Sequence, residues 1–121
     1  METNCCAKGE AYYTLVGEKN VEGVKKILHP DVEFYGPLAS LKGKEAVLEA
    51  TSNFMKAINS LAIRAKFGTK DQAIIVYQVD IPGIANDFSG ASLLSFCDRL
   101  IVRIELFYDA SRFSEKKEEI F

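Results

Sequence analysis

The sequence predicts an α+β domain in which three helices pack on one face of a strongly curved, mainly antiparallel sheet and enclose an apolar pocket. Three observations predict it. Helical periodicity is confined to the first half of the chain, where one strand-like segment interrupts it. The second half alternates apolar and polar residues between turn signals, as hairpin-linked strands do. The 121 residues, 48% hydrophobic and 26% charged, suit one domain (1–121) with a core that needs no staples.

A first helix is predicted from Cys5 to Val16, with Tyr12, Leu15 and Val16 on its stripe and Gly17 just past its end. A second starts at Asn20, a good N-cap, with Glu22 in its first turn. It places Val21, Val24, Ile27 and Leu28 on one face, sets His29 in its last position and stops at Pro30. Asp31 to Tyr35 alternates as a short strand, Gly36-Pro37 breaks it, and Leu38 to Lys42 reads as a loop. The third helix runs from Gly43 to about Asn59 with Val47, Thr51, Phe54 and Ile58 on its stripe.

Four strands follow. Ile63, Ala65 and Phe67 alternate with Ala62, Arg64 and Lys66, and Gly68 to Asp71 is a hairpin turn. Ala73 to Ile81 is continuously apolar, as a strand covered on both faces would be. Ile84 to Gly90 reads as a loop and Ala91 to Phe96 as a strand. After a tight turn at Asp98-Arg99, Leu100 to Tyr108 closes the sheet with Leu100, Val102, Ile104, Leu106 and Tyr108 on one face. Arg103, Glu105, Phe107 and Asp109 form the opposite row, solvated or dimer-facing. The charged run Ser114 to Glu119 reads as a solvated helix or frayed end.

Composition excludes several functions. A formal net charge of −2 does not provide the cationic field that nucleic acid requires. No apolar run approaches the roughly 20 residues needed to span a bilayer. The opening Met1-Glu2-Thr3-Asn4 lacks the basic and apolar regions of a signal peptide, so the expected compartment is the cytoplasm. Cys5, Cys6 and Cys97 make a poor disulfide framework and read as reduced thiols. With one histidine, His29, a Cys/His metal cluster is not expected. No phosphate-loop or HExxH motif is present, so neither a metal nor another cofactor is expected.

The segments Gly17-Glu18-Lys19-Asn20-Val21-Glu22-Gly23-Val24, Leu28-His29-Pro30-Asp31-Val32-Glu33-Phe34-Tyr35-Gly36-Pro37 and Lys42-Gly43-Lys44-Glu45-Ala46-Val47 resemble the nuclear-transport-factor-2-like superfamily. Within it the chain is most similar to SnoaL-like polyketide cyclases and ketosteroid isomerases. Phe96 to Ile104, running on to Phe107-Tyr108-Asp109, resembles that family's last hairpin. The resemblance implies a cone-shaped sheet. It also implies that Tyr12 holds the position of the isomerases' oxyanion-stabilising tyrosine and Ser92 that of their second oxyanion donor. Tyr108 falls at a position lining the cavity. The general-base aspartate, just before the proline that ends the first strand, is replaced by Gly36. Serine donates a hydrogen bond but does not abstract a carbon-bound proton unaided.

The expected site therefore has Tyr12 and Ser92 as polar, catalytic-type groups and Phe34, Tyr35, Phe54 and Tyr108 as pocket wall. For each aromatic, ordinary core packing is the competing explanation. Asp80 and Asp87 are the remaining acid/base candidates. Asp80 also reads as an outward strand residue, and Asp87 as turn chemistry. Two functions are expected. One is binding of a small apolar or aromatic molecule, extending to cofactor-independent isomerase, cyclase or dehydratase chemistry. The other is a non-catalytic dimerisation or protein-binding module. A homodimer is expected under either.

Overall fold

The helices form where apolar spacing is helical and end where the sheet claims the chain. In the computed structural model, which describes residues 5–109, α1 spans Cys6–Gly17 and buries Gly9, Tyr12, Tyr13 and Val16. Those positions, i, i+3, i+4 and i+7, make one helical face. Of the stripe read from the sequence, Tyr12 and Val16 lie on that face, and Leu15 beside it is only half-buried.

Helix α2 (Val21–Ile27) begins as predicted, with Asn20 Oδ1 accepting the Gly23 amide proton at 2.9 Å. It ends earlier than predicted. Leu28 is already extended, with φ −93° and ψ 132°, and pairs with Ile101 in the sheet. His29 therefore lies in a strand instead of closing a helix. The residue before a proline is driven out of helical space, so Pro30 acts upstream of itself. Strand β1 covers Leu28–Tyr35, and β2, Ser40–Lys42, occupies a segment predicted as loop. It forms because the Gly36 amide donates to Ala39 O at 2.8 Å, folding the chain back onto β1.

Helix α3 (Lys44–Ala57) buries Val47, Ala50, Thr51 and Met55. After it come β3 (Ser60–Gly68), β4 (Gln72–Ile81), β5 (Ala85–Cys97) and β6 (Leu100–Phe107). The predicted loop from Ile84 to Gly90 is mostly the start of β5. Asp87 sits there in left-handed space, at φ 50°, without ending the strand.

The six strands form one mixed sheet in the order β2-β1-β6-β5-β4-β3. Every neighbouring pair is antiparallel except β1 and β6, which run parallel. Register shifts interrupt all pairings but β1–β2, and such bulges bend a sheet. Helix α1 packs chiefly on β3 and β4, and α3 on β1 and β2, with α2 against both helices. The core between helices and sheet includes Val24, Leu28, Val32, Ile75, Leu94, Ile101 and Ile104, all inaccessible to solvent.

Two bulges overturn simple alternation. In β3 the shift between Ile63 and Ala65 moves the next residues to opposite faces. Lys66 then falls on the helix side of the sheet, where it pairs with Glu10 of α1 at the surface, and Phe67 turns to the other face. In β6 the shift at Val102 brings Ile101, with Ile104, to the inner side. Strand β4 is covered on one face only, since Ile74 is 42% exposed on the other. The run Ser114 to Glu119 lies outside the described residues.

Candidate functional site

Helix α1 presents two consecutive tyrosines inward, and each meets a different partner. Tyr12 turns toward α3, where its hydroxyl lies 3.4 Å from Thr51 Oγ1. Tyr13 turns toward β4 and stacks on Tyr77, with ring centroids 4.9 Å apart and 25° between planes. The two rings meet edge to face at 4.8 Å and 87°. Tyr77 faces inward because it alternates with Ile75 and Val79 along β4. Its cross-strand partner is Gly90. A β-carbon there would stand 3.0 Å from both Tyr77 Cζ and its hydroxyl oxygen, so the glycine makes room for the ring.

These rings border a narrow cavity of about 30 Å³. Tyr12, Tyr13 and Val16 line it from α1, and Ala50, Thr51 and Phe54 from α3. Phe34, Tyr77 and Leu106 form its sheet side. Phe54 and Leu106 are half-buried and form the rim, while the tyrosines and Thr51 are buried behind them. The volume suits a water molecule; sites for drug-sized molecules begin at about 300 Å³.

Ser92 is completely buried on the inner face of β5, opposite Ile75 and Leu106. Its Oγ lies near enough to the Tyr13 hydroxyl to favour that group's ionised form, but the two do not meet hydrogen-bond geometry. Burial pushes Tyr12 up to about 12, partly offset by its contact with Thr51. Burial also raises Tyr13 well above its usual value, helped by the neighbouring Tyr77 and Tyr12. Tyr77 is raised by burial and then by Tyr12 and Tyr108. At neutral pH these hydroxyls are protonated hydrogen-bond donors.

Of the residues singled out from sequence, Tyr12, Phe34 and Phe54 come together on the cavity, with Ser92 beside it. Tyr35 lies on the opposite sheet face, because it alternates with Phe34. There its hydroxyl donates to Glu33 Oε1 at 2.9 Å and the Arg103 guanidinium stands 4.6 Å from the ring centroid. Tyr108 is half-buried against Phe88, with centroids 5.9 Å apart, and does not line the cavity. Asp80 projects from the outer side of β4 and accepts from Asn59 Nδ2 at 3.2 Å. Asp87 is exposed.

Among the described residues, no carboxylate, imidazole or thiol lines the cavity. Position 36 has room for a small side chain. A β-carbon on Gly36 would meet Leu106 Cβ at 3.6 Å and Phe34 Cε1 at 3.7 Å, ordinary contacts with two lining residues. Sequence reasoning passed over Tyr13, Tyr77 and Thr51 as site residues. The signal for Tyr13 was its place at i+4 from Gly9, and for Tyr77 its alternation within β4.

Comparison with known proteins places these features in a family. The model of the SnoaL-like domain matches residues 10–104. No curated protein matches the chain in sequence. Among solved structures, a Kribbella flavida protein superposes with a TM-score of 0.84 at 16% identity, covering 93% of this chain and 92% of its own. A steroid delta-isomerase from Pseudomonas aeruginosa gives 0.78 at 18%, covering 94% and 86%. A candidate polyketide cyclase from Sinorhizobium meliloti gives 0.74 at 16%, covering 82% and 92%. At these identities the likeness is one of fold, which hosts unrelated activities. No helix among the described residues is long and apolar enough to cross a membrane.

Proposed function

The chain belongs to the SnoaL-like domain family, and from that premise we propose that it binds a small apolar or aromatic molecule carrying one hydrogen-bond-accepting oxygen. The ligand enters past Phe54 and Leu106, and its oxygen accepts a hydrogen bond from the Tyr12 hydroxyl. The observation that carries this reading is the convergence of the Tyr12 and Thr51 hydroxyls on a cavity otherwise walled by Val16, Phe34, Ala50, Phe54, Leu106 and tyrosine rings. Apolar walls with few polar anchors are the usual composition of a small-molecule site.

A 30 Å³ cavity accepts such a molecule only if the rim side chains swing outward, so binding is coupled to opening. With a lining of protonated tyrosines and no carboxylate among the described residues, the site favours binding over proton abstraction. An isomerase or cyclase step would need a base from outside the lining. Native mass spectrometry of the purified protein, followed by denaturing extraction, tests the reading alongside thermal shifts with aromatic ketones and phenols. A retained or panel molecule should raise the melting temperature, and Tyr12→Phe should diminish the rise. No retained molecule and no shift across the panel would refute it.

A second reading, a homodimeric non-catalytic module, is favoured by the outer sheet face. Phe67, Ile74 and Phe107 are 64%, 42% and 56% exposed there, and across the register Phe67 faces Ile74, which faces Leu93. Large exposed apolar side chains grouped on one face mark association surfaces. Sedimentation of the wild type as a dimer and of Phe107→Lys as a monomer supports this reading. A monomeric wild type refutes it.

A further inference from the structure

We propose that His29, Cys97 and Asp98 form a binding site for a borderline-soft divalent cation, zinc being the best match, at the end of the sheet away from the tyrosine cavity. The parallel pairing of β1 with β6 sets Leu28 opposite Ile101, and both are fully buried. That pairing sets the start of β1 beside the start of β6, and His29, in the irregular stretch between Leu28 and Glu33, stands by the β5–β6 turn. The turn is tight: Cys97 pairs with Leu100, while Asp98 and Arg99 both adopt positive φ, 53° and 68°. One ligand atom from each of His29, Cys97 and Asp98 lies within 4.8 Å of the other two. The Cys97 thiol sits 3.9 Å from Asp98 Oδ2.

An imidazole, a thiolate and a carboxylate make a donor set suited to zinc or cobalt and poorly suited to magnesium or calcium. Around a tetrahedral zinc such donors stand about 3.3–3.8 Å apart, as follows from metal–ligand bonds of about 2.0–2.3 Å. The trio must therefore contract by about an ångström. Cys97 and Asp98 are exposed and His29 half-buried, so side-chain rotation suffices. On binding, the thiol proton goes to solvent as the sulfur–metal bond forms. Three protein ligands leave the fourth position to water.

The imidazole supplies a built-in reporter. Its Nδ1 accepts the Asp31 amide proton at 3.0 Å. If the metal takes Nδ1, that lone pair is consumed. If it takes Nε2, the ring proton moves to Nδ1 and turns the acceptor into a donor. Either way the Asp31 amide loses its partner.

Titrating the reduced full chain with cobalt, then displacing the cobalt with zinc, tests the proposal. One equivalent should bind with a sulfur-to-cobalt charge-transfer absorption that excess magnesium leaves intact. Cys97→Ser should abolish that band, and His29→Gln and Asp98→Asn should each weaken zinc binding by more than about tenfold. Cys6→Ser should leave both unchanged. In the amide spectrum of the wild type, Asp31 should shift on zinc addition. Retention of the band in Cys97→Ser, its loss in Cys6→Ser, or an unmoved Asp31 amide would overturn the assignment. So would the absence of any band at millimolar cobalt. Circular dichroism of each variant separates lost binding from lost fold.

Discussion

Alkaline pH should unfold this protein through its buried tyrosines. Below pH 10 a tyrosine is protonated in both folded and unfolded chains and contributes no pH dependence. Burial raises Tyr12 from 10.0 to about 12 in the folded state. Between those values the unfolded chain has released its proton and the folded chain has not. The stabilisation is therefore complete below pH 10 and disappears as pH rises through about 12. For Tyr12 alone the loss is about 3 kcal/mol, from two units at about 1.4 kcal/mol each. Tyr13 and Tyr77 shift in the same direction for the same reason. Burial raises Tyr108 to about 12 as well, and together the four rings give a slope of about 5 kcal/mol per pH unit, against a total stability on the order of 10 kcal/mol for a chain of this size. The assay is urea unfolding followed by circular dichroism at a series of alkaline pH values, with tyrosinate absorbance recorded in parallel. Stability should fall steeply above pH 10, and most tyrosinate should appear only with unfolding. Tyr12→Phe should reduce the slope by about a quarter, which separates tyrosine from lysine titration. Tyrosinate forming near pH 10 in the folded protein, or an unchanged slope in Tyr12→Phe, would refute the reasoning.

Other substitutions probe the same interior. Gly90→Ala drives a β-carbon into the Tyr77 ring and should cost about 1–3 kcal/mol in urea unfolding. Gly36→Ala, whose β-carbon meets only ordinary contacts, should change stability by less than about 0.5 kcal/mol in the same measurement. At neutral pH, Tyr12→Phe should cost less than about 1 kcal/mol, because its contact with Thr51 is long at 3.4 Å. Ile104→Ala, at a fully buried core position, should cost about 2–5 kcal/mol and lower the melting temperature visibly.

Much of the fold was legible because helices and strands segregate along the chain and the turns carry their own chemistry. Asn20, Pro30, Gly43 and the Asp98-Arg99 turn each mark a boundary to within a few residues. Alternation misled at two bulges. Period 2 assumes an unbroken ladder, and the shifts around Arg64 and Val102 reverse the faces beyond them. The short β2 was hidden because its pairing comes from tertiary folding onto β1, not from three residues of strand preference. At the site, Tyr12, Phe34 and Phe54 could be read from their stripes, whereas Tyr13 and Tyr77 look like any aromatic in an apolar run. The meeting of His29 with Cys97 and Asp98 depends on a parallel pairing that local sequence cannot display.

That parallel pairing also constrains the order in which the chain can fold. Strand β1 is synthesised early, yet its inner-edge partner β6 is the last of the described strands to be made. Until β6 arrives, β1 has only the three-residue β2 beside it, and the buried faces of Leu28, Val32 and Phe34 lack the Ile101 and Ile104 contacts that the register later provides. Closing a loop of some seventy residues must precede those contacts. The β3–β4–β5 meander can assemble from local hairpins, but the half of the domain carrying α3 waits for β6. Folding should therefore show an early meander and a slow docking step.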